Sequence, residues 1–325
     1  MCTAISDHGH VHLFGRTLDL EYSYNEKIVI TPREFVFKWR DGDESPSGHA
    51  IIGVAHIDGE YPLYYDAINE KGLAIAALNF PEFAKYHSRS SYQTNVAPFE
   101  FIPKILRKCK NVREALEILD DVNLTNTNFS SSLKATPLHW LIADKNSSIT
   151  VEPMADGLKI YENKLGVLTN SPPFPYHEAN LSSYIALSAY PKENTLCPDV
   201  ELKTYSRGIG GIGLPGDFSS TSRFIKCVFA KNNTDREELY LYKKEISRFF
   251  RILDTVSVPL GTVKTDDRQS ISTVYTSCAD TEHGIYYFTT YGCRRIRAVN
   301  MNGYDLDSKE LISFLMDADE DIFYI

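Results

Sequence analysis

Apolar and polar positions alternate with a period of two through much of the first half of the chain, the pattern of strands with a buried face. Residues 11–15, 27–30, 34–37 and 50–54 are β-rich runs bounded by glycine, proline or aspartate. Residues 61–79 read as a hairpin turning at Asn69-Glu70-Lys71-Gly72. A second group of strands follows at 138–142, 148–152 and 158–161, joined through Asp144-Lys145-Asn146 and Ala155-Asp156-Gly157, both turn chemistry. Between the groups the period changes. Phe99, Ile102 and Leu106 mark one helical stripe and Val112, Ala115, Leu116 and Leu119 another, with a break near Asn111 in the span 98–121. Further helices are predicted at 219–231 and 237–253, and late strands at 272–278, 285–290 and 296–300. Strands grouped with strands and helices with helices, with little β-α-β alternation, predict an antiparallel α+β layered fold. No repeat, low-complexity stretch or linker interrupts the chain, so residues 1–325 read as one domain.

Composition narrows the class. With 43% hydrophobic and 24% charged residues the chain has the balance of a folded globular protein. No apolar run approaches the ~18–20 residues needed to span a bilayer, which predicts no membrane partner. Lys and Arg total 34 against 43 Asp and Glu, a net charge of −9, and no long basic tract appears, which argues against nucleic acid. The start, Met1-Cys2-Thr3-Ala4-Ile5-Ser6-Asp7, has neither a basic n-region nor an apolar h-region, so the expected location is cytoplasmic. The six cysteines form no C-x-x-C pair, and five of them read as small buried hydrophobes.

Cys2 differs because of what precedes it. Aminopeptidases remove a methionine that stands before a small residue, and removal would leave a thiol and a free α-amine on one residue. The amine titrates near ~7.7–8.0 and the thiol near ~8.5, so one can accept the other's proton around neutral pH. That is the logic of an N-terminal nucleophile. If Gly9 is the apex of the first hairpin, paired residue numbers sum to 18 and Cys2 lies opposite Arg16. A guanidinium there would favour a thiolate. Asp19 could hold the freed amine if the strand bends or bulges. Spacing alone leaves an ordinary salt bridge between Arg16 and Asp19 equally open.

Three other features invite chemistry. Gly208-Ile209-Gly210-Gly211-Ile212-Gly213 fits the dinucleotide spacing G-x-G-x-x-G, but it lacks the preceding buried strand and is followed by Leu214-Pro215, so a surface loop is expected. His8, His10 and His12 alternate as a metal-binding face would, yet Asp7-His8-Gly9-His10 reads as a turn. Arg294, Arg295 and Arg297 read as a charged, solvated strand edge.

Several longer blocks carry a resemblance. Met1-Cys2-Thr3-Ala4-Ile5, Phe14-Gly15-Arg16-Thr17-Leu18-Asp19, the run from Tyr61 to Leu73, Leu78-Asn79-Phe80 and Leu138-His139-Trp140 resemble the choloylglycine hydrolase family. So do Pro98-Phe99-Glu100-Phe101-Ile102-Pro103, Gly166-Val167-Leu168-Thr169-Asn170, Gly211-Ile212-Gly213-Leu214-Pro215 and Ser222-Arg223-Phe224, in the family's order from residue 1 to about 300. The blocks look more like the bile salt hydrolases of gut bacteria than the penicillin V acylases, which often carry tyrosine where this chain has Asn79.

The resemblance implies the four-layer αββα sandwich of N-terminal nucleophile hydrolases. It implies Cys2 as nucleophile after loss of Met1, its own amine as base, Arg16 beside the thiolate and Asp19 orienting the amine. Asn170 through its side chain and Asn79 through its backbone N–H would form the oxyanion hole, and Arg223 would complete the polar network. The implied substrates are glycine- or taurine-conjugated bile acids, with no metal or organic cofactor, and the implied assembly is a homotetramer. Leu20, Tyr24 and Tyr65 stand at or beside family pocket positions and read equally well as core. Ser206-Arg207-Gly208 resembles loop variants that prefer glycine conjugates. The chain departs from the family at Thr17, often asparagine, and in residues 191–202 and 311–325. A penicillin V acylase is the competing activity. A non-catalytic bile-acid-binding paralogue would require a broken catalytic set, and all six positions are filled.

Overall fold

Two antiparallel sheets lie face to face between two layers of helices, in a computed structural model that describes residues 1–42, 44–45, 47–235 and 242–325. In chain order the strands used below begin with β1 (Cys2–His8), β2 (His12–Leu20), β3 (Lys27–Thr31), β4 (Ile51–Asp58), β5 (Tyr61–Asn69) and β6 (Ala74–Asn79). They continue with β7 (Leu138–Ala143), β8 (Ser148–Met154), β9 (Gly157–Glu162), β10 (Val167–Leu168), β11 (Ser270–Asp280), β12 (Ile285–Thr290), β13 (Arg297–Asn300) and β14 (Ile312–Leu315). The helices are α1 (Phe101–Lys108), α2 (Val112–Leu119), α3 (Phe174–Asn180), α4 (Ser220–Asn233) and α5 (Tyr242–Asp254). The first sheet runs β10-β1-β2-β11-β12-β13 and the second β9-β8-β7-β6-β5-β4-β3-β14.

Strand β3 shows why the layers stack. Ile28 and Ile30 join a buried cluster with Cys2, Leu13 and Phe249 of α5, while Val29 between them joins a cluster with Phe101, Ile105 and Leu106 of α1. Side chains alternate across a strand, so a strand buried on both faces must be apolar throughout. The helix layers therefore lie outside the two sheets, and the expected αββα order is what forms.

The helical span 98–121 breaks where expected. Asn111 accepts a hydrogen bond from the Glu114 N–H (3.0 Å) and caps α2. Ser219 caps α4 in the same way through Ser222. The start of the helix predicted at 237–253 falls on 237–241, outside the described residues; α5 occupies the remainder. Among the described residues no helix is long and apolar enough to cross a membrane.

Two expectations need correction. The run 34–37 is mostly irregular, and only Phe37–Lys38 pairs, with Glu44–Ser45. Pro32 has no N–H to give a ladder, and Arg107 takes the carbonyls of Pro32 (2.7 Å), Arg33 (2.7 Å) and Phe35 (2.9 Å). The first hairpin is shifted as well: His8 pairs with His12 and Cys2 with Leu18, so paired numbers sum to 20 and Ala4, not Cys2, faces Arg16. His12 decides this. It is buried between Ser6 Oγ (2.9 Å) and Thr281 Oγ1 (2.8 Å), which holds it inside the strand and confines the turn to residues 9–11.

The other sequence features settle into structural roles. The glycine run forms a three-residue 3-10 turn at Ile209–Gly211, with Gly208 at φ 77°, and the next α-helix begins only at Ser220. Arg295 and Arg297 pair with Asp321 (2.6 Å) and Asp317 (2.5 Å), tying the C-terminal segment to the edge of β13.

Burial holds two histidines neutral. His12 is pushed down to about 3, and His177 on α3 to about 4. An unfolded histidine protonates near ~6.5, so below that pH the unfolded chain binds protons that the folded chain refuses. The stability they lend is complete above ~6.5 and drains away as pH falls through about 4. The melting temperature should therefore hold steady from about pH 8 to 7 and fall progressively from about pH 6.5 to 4. A melting temperature unchanged down to pH 4 would contradict the buried neutral state.

Candidate active site

Cross-strand partners point to the same face, so Cys2, Leu18, Ala4 and Arg16 all turn toward the second sheet, with Arg16 diagonal to Cys2. Gly15 makes room for the next strand: a Cβ there would lie 2.0 Å from Ser277 O. That close approach lets the Arg16 N–H donate to Ser277 Oγ (3.1 Å). The Arg16 guanidinium then reaches across to the fork where β5 and β6 part. Its Nη1 donates to Tyr65 O (3.1 Å) and to Ala77 O, its Nε donates to Thr17 O (3.2 Å), and its buried Nη2 has no hydrogen-bond partner among the described residues. Burial acts against this charge, but Cys2, Tyr275, Asp66 and Asp19 outweigh it and hold the guanidinium above its ordinary value.

Asp66 makes the reverse crossing, from β5 into the first sheet. It accepts from Tyr275 Oη (2.5 Å), Ser277 Oγ (3.1 Å) and Tyr286 Oη. Burial pushes its carboxyl up, opposed by Arg16 and those hydroxyls.

Asp19 faces the helical side. Its carboxylate accepts from Thr273 Oγ1 (2.6 Å) and Thr17 Oγ1 (3.2 Å), and burial raises its pKa against the pull of Arg223. The bulge that its role called for lies on the neighbouring strand, between Thr273 and Tyr275 of β11. With Met1 in place, the terminal amine donates to Asp19 O (2.6 Å), and the Cys2 nitrogen is an amide that donates to Asn170 Oδ1 (2.9 Å).

Asn170, just past β10, is the hub. Its Oδ1 also accepts from Arg223 Nη2 (2.6 Å), which orients the side-chain amide so that Nδ2 donates to Asn79 O (2.7 Å). An amide nitrogen has two hydrogens, so one remains for another acceptor. Arg223, on α4, also bonds Cys2 O and Thr3 Oγ1 (2.7 Å). At Asn79 the strand's alternation sets direction. The Phe80 N–H donates to Pro137 O (2.8 Å), so the Asn79 N–H turns the other way, toward the fork.

Cys2, Arg16 and Asn79 line one cavity of about 580 Å³, and Leu20, Tyr24 and Tyr65 line it too. Its remaining wall is chiefly apolar, including Leu63, Phe99, Ile102, Phe129 and Leu138. Arg16 and Lys134 are its cations and Glu21 its carboxylate, so the cleft is less negative than the protein as a whole. Two clefts of similar size, 580 and 600 Å³, are more polar and do not contain Cys2.

A thiol, an unpaired guanidinium nitrogen and a spare amide donor at the end of an apolar cleft are the parts of an acyl-transfer site. The family model of linear amide C–N hydrolases, choloylglycine hydrolase family, matches residues 2–314. The chain belongs to that family. It is 44% identical over 314 residues to a bile salt hydrolase/transferase of Lactiplantibacillus plantarum, covering 97% of this chain and 96% of the relative. A bile salt hydrolase/transferase of Clostridium perfringens is 36% identical over 97% of this chain and 96% of its own length. The crystal structure of a mutant conjugated bile acid hydrolase from Clostridium perfringens superposes with a TM-score of 0.93 at 34% identity, with both chains fully covered. A penicillin V acylase from Agrobacterium tumefaciens shares the fold, with a TM-score of 0.77 at 20% identity over 96% of this chain and 90% of its own.

Within this choloylglycine hydrolase fold Cys2, Asn79, Asn170 and Arg223 share one hydrogen-bond network, Arg16 and Asp19 flank it on opposite faces of the hairpin, and the three expected pocket residues line the cavity that contains Cys2. Sequence reasoning missed the support around them. Asp66 carried a signal, a lone carboxylate inside the apolar run 64–68, but its three hydroxyl donors come from strands more than 200 residues away. Ser220, His139 and His177, which hold the backbone at Thr169 and Asn170, gave no local pattern at all.

Asp66→Ala strands three buried hydroxyls and removes one of the two carboxylates that stabilise the Arg16 charge, and should cost about 3–5 kcal/mol in urea unfolding. Tyr286→Phe removes one donor and should cost about 1–2 kcal/mol. Equal losses in the two variants would refute Asp66 as the organising group.

Proposed function

We propose that this enzyme hydrolyses the amide bond of glycine- or taurine-conjugated bile acids, with residues 1–325 acting as one domain. The observation that carries the reading is the cleft itself: an apolar cavity of about 580 Å³ that ends at Cys2. It offers apolar walls to a rigid steroid and places the reactive group at one end, where the acyl carbon must lie.

The chemistry is two-step acyl transfer. Once Met1 is removed, the Cys2 amine accepts the thiol proton and the sulfur attacks the amide carbonyl. The carbonyl oxygen takes up negative charge between the second hydrogen of Asn170 Nδ2 and the Asn79 N–H. Arg16 offers its unpaired nitrogen to the same region. The α-ammonium passes its proton to the departing glycine or taurine nitrogen as the C–N bond breaks, leaving a thioester. Water, deprotonated by the amine, then attacks the thioester, releasing the free bile acid and returning the thiol. No step calls for a metal or organic cofactor. Lys134 in the cavity lining adds a cation that offsets the repulsion between an anionic conjugate and a chain with net charge −9.

The enzyme is read as cytoplasmic and homotetrameric. The assembly is supported by an apolar surface along 185–212, where Ile185, Leu196 and Tyr205 are each about 85% exposed or more. Light scattering should return four times the 36.8 kDa chain mass.

The decisive assay measures glycine and taurine release from glycocholate and taurocholate, together with the N-terminal mass. Activity should vanish in Cys2→Ala, and Asn170→Ala should lower kcat about 10²–10³-fold. A chain lacking Met1 that leaves both conjugates intact but cleaves a phenoxyacetyl amide would be a penicillin V acylase.

A further inference from the structure

The side chain of Asn170 is positioned by Cys2 and Arg223, but its backbone is held from behind. The Asn170 N–H donates to Ser220 Oγ (2.8 Å), and its carbonyl accepts from His177 Nε2 (2.9 Å). One residue earlier, the Thr169 carbonyl accepts from His139 Nε2 (2.9 Å). A carbonyl oxygen can only accept, so both rings must carry a proton on Nε2. Both histidines are fully buried.

Each ring is fixed in turn. Phe80 stacks on His139 with centroids 4.3 Å apart and planes 6° apart, and Phe224 stacks on His177 at 4.9 Å and 22°. These two phenylalanines directly follow Asn79 and Arg223, two of the residues that touch the Asn170 side chain. On the far side of His139, Nδ1 meets Glu152 Oε1 at 3.1 Å, and the same oxygen accepts from the Phe174 N–H (3.0 Å) at the start of α3. With Nε2 already protonated, a proton must lie between Nδ1 and Glu152, so the two groups form a shared-proton pair in a fully buried site.

We propose that His139, braced by Glu152, and His177 are positioning residues for the oxyanion donor. They hold the Thr169–Asn170 backbone so that the second hydrogen of Asn170 Nδ2 points at the developing oxyanion. Neither touches the reacting atoms. An error of about 1 Å in such a donor can cost on the order of 100-fold in rate, and a flexible backbone would allow that error. The inference rests on reading Asn170 as the oxyanion donor, and the test separates the two.

The experiment uses the full-length enzyme and compares His177→Phe, His177→Gln, His139→Gln and Asn170→Ala, with His177→Phe also made in the Asn170→Ala background. Three quantities are read: kcat and KM on glycocholate, the rate of Cys2 alkylation by iodoacetamide, and the melting temperature. Alkylation needs the sulfur but no oxyanion hole. His177→Phe should lower kcat roughly 10- to 100-fold, with KM and the alkylation rate within about two-fold of the parent. The glutamine variants, which can still donate to the carbonyl, should recover most of that loss. In the Asn170→Ala background the same substitution should change kcat by less than about two-fold, because the group it positions is gone.

Full additivity in the double variant would overturn the proposal, as would parallel losses of kcat and alkylation rate in the glutamine variants, which mark a merely structural role. A folded His177→Phe enzyme with unchanged kcat would do the same. Near-normal kcat in Asn170→Ala would instead remove the oxyanion reading on which the inference stands.

Discussion

Two buried charges of opposite sign cross between the sheets, and the arrangement of the site depends on them. Arg16 leaves the first sheet to bond carbonyls of the second, and Asp66 leaves the second to accept hydroxyls of the first. Removing either charge from water carries a penalty of several kcal/mol. It is offset only because each group lands in a ready set of partners and lies within the other's field. The reciprocal crossing fixes the relative placement of the sheets more sharply than apolar packing can, since apolar contacts tolerate sliding and hydrogen bonds do not. Ser277 joins the two halves, accepting from the Arg16 N–H and donating to Asp66. Gly15 is required for that approach.

One consequence is a guanidinium nitrogen left buried with no hydrogen-bond partner among the described residues. Buried polar atoms are rarely left so, and Arg16 lines the cavity that contains Cys2. The opposite face of the same hairpin carries a second network, built on Asp19, Thr273 and Arg223. Cys2 stands between a cation on each side: Arg16 toward the second sheet, Arg223 toward the helices. Asn170 closes the arrangement by connecting β10, α4 and β6 through a single side-chain amide.

Much of this was legible beforehand, for identifiable reasons. Strand and helix periods located the elements because the central strands, such as those at Cys2–His8, Ala74–Asn79 and Ser270–Asp280, each have a wholly buried face. The break at Asn111 was visible because a capping side chain has a chemical signature. Cys2 stood out because its position after Met1 has a chemical meaning independent of fold. The errors are equally specific. The hairpin register was misplaced by one residue at the turn because a glycine seemed the natural apex, while the burial of His12 against Thr281, 269 residues away, made the choice. The run 34–37 looked like a strand because its aromatics alternate. Phe37 stacks on Trp39 at 4.7 Å, so the alternation serves a local plug while Arg107 takes the backbone carbonyls.

The sequence by itself determined the layered α+β class and singled out Cys2 and the five polar residues around it, because residue type, period and motif order are local properties. Only the tertiary structure decided which face of the hairpin each of those residues serves, which carbonyls Arg16 would hold, and that Asp66, His139 and His177 support the site. Those outcomes depend on contacts between segments far apart in the chain. A buried carboxylate or imidazole gives no sign in the sequence of which distant partner makes its burial affordable.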